Sequence, residues 1–119
     1  MAGTLGFIGL GVMGEPICRN LVRKSGRTVK AFDLASEPLQ RIAADGGAIA
    51  SSVADAVKGS EVIFLCLPSA KHVRHVVESD GGLLASIGGG QTVIDLGTSA
   101  VDVTRDFAKR LAAKGATWI

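Results

Sequence analysis

The chain has no tyrosine, one tryptophan and four phenylalanines, so aromatic residues make up only 4% of its 119 positions. These rings are not interleaved with Arg or Lys as a base-stacking platform requires. Thirteen basic residues against eleven acidic ones leave a net charge of +2 with no basic stripe. Nucleic acid is therefore not an expected partner. Cysteine is scarce as well: Cys18 and Cys66 lie far apart in apolar stretches without metal-ligand spacing. They read as buried, reduced thiols, and no metal site is expected. No uninterrupted apolar run approaches the roughly 20 residues needed to span a bilayer. The apolar stretch Met1–Gly14 lacks the basic segment of a signal peptide. No membrane partner and a cytoplasmic location are expected.

What the chain does have is glycine, 16 residues of it, set between apolar segments without a G-X-Y period. With 47% hydrophobic and 20% charged residues it reads as one globular domain. Thr4–Leu10 is an apolar strand ending in glycines. Met13, Ile17 and Leu21 then recur at helical spacing, and Gly26 follows as a stop. Thr28–Leu34 reads as a second strand, and Ser36–Gly46 as a helix capped by Ser36. Ala48–Ala50 reads as a brief strand and Ser52–Lys58 as a short helix. The nearly continuous apolar run Glu61–Leu67 has the character of a strand covered on both faces. A helix over Lys71–Ser79, a turn over Asp80–Gly90 and a strand over Thr92–Leu96 come next. Val103, Phe107 and Leu111 mark a last helix, with Ser99 and Asp102 as its capping box. Ala116–Ile119 opens one more strand. Its open edge predicts self-association or marginal stability. Strand and helix alternate throughout, which implies an α/β fold with a parallel sheet between helices.

The informative segment is Gly9-Leu10-Gly11-Val12-Met13-Gly14. A G-x-G-x-x-G pattern alone is weak, but here it follows a strand and opens an amphipathic helix. In that context Gly9 allows the sharp turn, Gly11 lets the backbone approach a pyrophosphate, and Gly14 lets the helix pack closely on the sheet. The helix start offers N–H groups and the positive end of a dipole to phosphate charge. Asp33 ends the second strand about 20 residues on, where an acid accepts hydrogen bonds from the adenosine ribose. The bare alternatives are a ligand-free tight turn at the glycines and an ordinary surface acid at Asp33. A carboxylate there repels a 2′-phosphate, and Leu34, Ala35 and Ser36 follow it rather than an arginine. The expectation is a Rossmann-type, doubly wound parallel sheet in three α/β/α layers that binds NAD, with NADP the weaker candidate.

Three segments in order carry a family resemblance: Phe7 to Pro16 with Asn20-Leu21 after it, Cys66-Leu67-Pro68-Ser69, and Val93 to Ser99. Together they resemble the β-hydroxyacid dehydrogenases, which include 3-hydroxyisobutyrate dehydrogenase and tartronate semialdehyde reductase. Their relatives are 6-phosphogluconate dehydrogenase and the imine reductases. The resemblance implies that Leu67 and Pro68 border the adenosine side of the cofactor and that Thr98 lies near the nicotinamide. His72 stands where relatives often carry a cofactor-contacting Asn. The plainer readings are a solvated helix face for His72 and His75 and a helix cap for Thr98 and Ser99. Leu96-Gly97 departs from the small hydroxyl residues common in the family. Asp33-Leu34 replaces the Asn-Arg pair of NADP-using relatives.

The resemblance also implies parts that these 119 residues do not match. They are an Asp-Ala-Pro-Val-Ser-Gly-Gly-like segment for the substrate carboxylate and a later lysine that acts as general acid and base. None of the chain's own lysines matches that lysine, so no catalytic residue is assigned. The expectation is an NAD-binding domain over residues 1–119, inactive alone. Its complete enzyme would carry a helical catalytic and dimerisation domain, form a homo-oligomer and take a small 3-hydroxy acid. Two alternatives stay open: part of an NADPH-dependent imine or semialdehyde reductase or 6-phosphogluconate dehydrogenase-like enzyme, and a non-catalytic dinucleotide-sensing module.

Overall fold

The alternation of apolar strands with amphipathic helices folds as one parallel sheet between two helical layers. The computed structural model describes residues 3–97 and 101–119. The first half runs β1 (Thr4–Ile8), α1 (Gly14–Lys24), β2 (Val29–Phe32), α2 (Ser36–Ala44), β3 (Ala48–Ile49) and α3 (Val53–Val57). The second runs β4 (Ser60–Leu65), α4 (Ala70–Glu78), α5 (Leu83–Ser86), β5 (Thr92–Asp95), α6 (Val101–Ala112) and β6 (Thr117–Trp118). The sheet order is β3-β2-β1-β4-β5-β6 and every pairing is parallel. This is the doubly wound Rossmann order, and its direction reverses between β1 and β4.

Strand registers explain why both faces of the sheet are apolar. Phe7 lies opposite Ala31 on one side and Phe64 on the other, while the next residue, Ile8, lies opposite Phe32 and Leu65. Successive side chains point to opposite faces, so two cores form. Leu5, Phe7, Val29 and Ala31 pack with Cys18 of α1 and Ile42 of α2. Ile8, Ile63, Leu65 and Val93 pack with Val73 and Val77 of α4 and Phe107 and Leu111 of α6. Phe7 and Phe64 stack across neighbouring strands, 5.9 Å between centroids.

Several boundaries differ from the sequence reading, each for a local reason. Ser36 is the first residue of α2 and not its cap; Ala35 holds the cap position without a side-chain bond. The Asp33 carboxyl takes the Ala35 N–H instead. The glycine-rich turn after α4 contains α5, because Leu83 finds a buried place in the second core. Helix α4 starts at Ala70, where Ser69 accepts the His72 N–H. Trp118 pairs with Val93 and packs on Phe107 at 5.3 Å, while Ile119 is exposed. The capping box expected at Ser99 and Asp102 lies outside the residues and side chains described.

Candidate functional site

Because every strand is parallel, the carboxyl ends of β1, β2, β4 and β5 share one edge of the sheet, beside the point where the winding reverses. The chain leaves β1 through Gly9, whose φ of +103° suits glycine. Its N–H donates to the Phe32 carbonyl at 3.0 Å. A Cβ on Gly9 would overlap the Cys66 carbonyl oxygen and crowd the Leu67 side chain. One on Gly14 would overlap the carbonyl oxygen of Gly9. Both glycines are therefore required by the close packing of turn, helix and β4.

Gly11 is different. Its φ is not positive, and a Cβ there would meet nothing within 4 Å. The fold gives no reason for glycine at this position, whereas a ligand approaching the backbone does. The donor set fits an anion. Helix α1 begins after Met13 with no side-chain cap, whereas Ser52 caps α3 and Ser69 caps α4. Among the described residues, none accepts a hydrogen bond from the backbone N–H of Gly11, Val12 or Met13. Such N–H groups at a helix start suit phosphate charge. The side chains around them also face solvent: Val12 is 96% exposed, Met13 65% and, across the turn after β2, Leu34 95%. Apolar side chains left so open beside unpaired donors mark a surface that can receive a flat, partly apolar ligand.

Asp33 is fixed against this turn. One carboxyl oxygen accepts the Leu10 N–H at 2.7 Å and the other the Ala35 N–H at 2.8 Å. Each oxygen keeps a further acceptor site, so the half-buried group can still receive sugar hydroxyls. Leu67 is half-buried and borders Gly9, and the Gly97 backbone approaches the Leu67 carbonyl. Pro68 is exposed on the same turn. His72 is exposed in the first turn of α4, with Nδ1 2.7 Å from Ser69 Oγ. No contact joins it to the glycine turn among the described residues. Thr98 lies outside them.

Sequence reasoning did not anticipate a depression of about 420 Å³ beside the turn. It is lined by Leu10, Gly11 and Val12 of the turn together with Glu15, Arg19 and Arg41. Arg41 grips Glu15 with two bonds of 2.6 and 2.8 Å, and Arg19 adds one of 3.0 Å. The Arg41 guanidinium holds the Glu15 carboxyl below its ordinary value. The i,i+4 spacing of Glu15 and Arg19 was visible in sequence; Arg41, 26 residues from Glu15, was not. Cys18 is buried and Cys66 half-buried, both as free thiols. Burial pushes the Cys18 thiol up to about 12 and raises that of Cys66, so neither has the character of a nucleophile. Among the described residues no cluster suits a metal ion, and no helix is long and apolar enough to cross a membrane.

A family model described as the NAD binding domain of 6-phosphogluconate dehydrogenase matches residues 4–119. The chain belongs to this family. This NAD-binding domain is 37% identical over 113 residues to 3-hydroxyisobutyrate dehydrogenase of Pseudomonas aeruginosa, covering 95% of the chain and 38% of that enzyme. It is 40% identical over 111 residues to the NAD-dependent L-serine dehydrogenase of the same organism, covering 93% of the chain and 37% of that enzyme. A solved structure of Psf3 in complex with NADP+ and 2-OPP superposes with a TM-score of 0.88 at 30% identity. That match covers 96% of this chain and 40% of the other. The domain thus spans under two-fifths of the length of these two curated relatives. Their identity agrees with the family resemblance carried by the three sequence segments.

Proposed function

We propose that this domain holds NAD for a dehydrogenase acting on a small 3-hydroxy acid. The observation that carries the reading is Gly11, a glycine required neither by its φ nor by contact with its neighbours, set beside an uncapped helix start. In this reading Gly9, Leu10, Gly11, Val12, Met13 and Gly14 wrap the diphosphate, and the N–H groups of Gly11, Val12 and Met13 offset its charge. Asp33 accepts hydrogen bonds from the adenosine ribose and disfavours a 2′-phosphate. Leu67 and Pro68 border the adenosine, His72 lies along the α4 side, and the family resemblance assigns Thr98, outside the described residues, to the nicotinamide. That ring supplies the hydride acceptor or donor when bound, and the domain's task is to fix its position. No residue of the domain is assigned to proton transfer or to a substrate carboxylate, so the chain as given should bind cofactor without turnover.

A second reading, an NADPH-dependent reductase, has the NADP+ complex of a 30% identical structure in its favour. Calorimetric titration with NADH and NADPH separates the two. We expect tighter NADH binding, and Asp33→Ser should weaken NADH about tenfold and narrow the gap between the cofactors. A clear wild-type preference for NADPH would establish the second reading. Silence toward both at millimolar concentration would end the dinucleotide reading altogether.

A further inference from the structure

We propose that Glu15 is a second determinant of cofactor choice, acting by holding the Arg41 guanidinium away from any 2′-phosphate. The inference rests on the dinucleotide reading of the glycine turn and extends it to residues outside the motif.

Asp33 and the depression share a wall. The Leu10 N–H is bonded to Asp33, and Leu10 and Gly11 line the depression. An extra phosphate on a sugar seated at Asp33 therefore meets the charges of the depression next. Those charges are balanced within the protein. Glu15 takes a two-point grip from Arg41 and a third bond from Arg19. Asp45 pairs with Arg19, whose Nε lies 2.7 Å away, and accepts a bond from Arg23 at 3.0 Å. Each of these guanidiniums has a carboxylate partner, and among the described residues Glu15 is the only acid hydrogen-bonded to Arg41. Glu37 acts on Arg41 only through space. A guanidinium fork held by two bonds is the geometry that binds phosphate well, and here a carboxylate occupies it. Glu15 also adds a negative charge beside the turn.

The fold does not need the clamp. Arg41 is about half exposed, and ion pairs reaching solvent contribute little to stability. Selectivity built by occupying a cation and adding a repulsive acid is a common route to discrimination.

The test titrates the full chain and three variants, Glu15→Gln, Arg41→Met and the double substitution, with NADH and NADPH by reduced-nicotinamide emission at fixed low salt. Glu15→Gln should strengthen NADPH binding about tenfold and leave NADH within about twofold. Adding Arg41→Met should abolish most of the gain. An equal shift for both cofactors, no shift, or a gain that survives Arg41→Met overturns the proposal while leaving the NAD reading in place. A wild-type chain that prefers NADPH, or binds neither, overturns both.

Discussion

The two edges of the sheet treat their polar groups in opposite ways. At the amino edge, side chains close the backbone on itself. Gln91 donates to the carbonyls of Val57 and Ser60 and accepts the Gly88 N–H. Lys30 reaches the carbonyls of Asp55 and Lys58, and Ser60 Oγ donates to that of Ala56. At the carboxyl edge, the N–H groups of Gly11, Val12 and Met13 have no acceptor among the described residues, and Val12 and Leu34 are almost wholly exposed. One edge satisfies itself; the other leaves N–H donors open, and the proposed function assigns those donors to a ligand.

The sharpest way to break this comparison is to find a substitution at one edge behaving like the other. Gly14→Ala should have the largest effect on stability, about 3 kcal/mol, because its methyl group would meet the fixed Gly9 carbonyl. Denaturant unfolding measures it, and an unchanged midpoint would show that α1 does not pack as closely as described. Gln91→Leu should cost about 2 kcal/mol by leaving backbone groups at the amino edge without partners. NADH affinity of the folded variant should not change, and a loss of affinity would mean that the two edges are coupled.

The smallest effect concerns pH. Hydrogen bonds from Arg41 hold Glu15 below its ordinary value of 4.5, and those from Arg110 and Arg74 do the same for Glu78. An acid lowered by folding contributes stability above its unfolded value and loses it as pH falls through the folded one. Thermal midpoints should therefore fall below about pH 4.5, and Glu78→Gln should flatten that acid branch. A midpoint that rises on acidification would contradict the assigned pairs.

Much of this was legible in the sequence because the determining interactions are local. The glycine turn, the alternation of elements and the acid after β2 are set by spacing within about 25 residues, and a parallel sheet between helices followed from the need for a crossover between parallel strands. What was not legible depends on competition between neighbouring caps and on which distant elements meet. The second bond of Asp33, to Ala35, displaced Ser36 from its expected capping role. Helix α5 forms inside a glycine-rich stretch because Leu83 has a buried pocket to fill. Arg41 reaches Glu15 only because α1 and α2 lie side by side on one face. Sequence could also propose a reason for each glycine of the motif without separating them. Only the packing distinguishes Gly9 and Gly14, which the fold requires, from Gly11, which it does not.

That distinction supports the most direct test. Gly11→Val adds a side chain whose Cβ meets no protein atom within 4 Å, so the variant should unfold within about 1 kcal/mol of the parent. Its NADH affinity should fall about a hundredfold or more. A variant that keeps full NADH affinity, or that loses stability as Gly14→Ala does, would contradict the claim that this glycine is reserved for the cofactor.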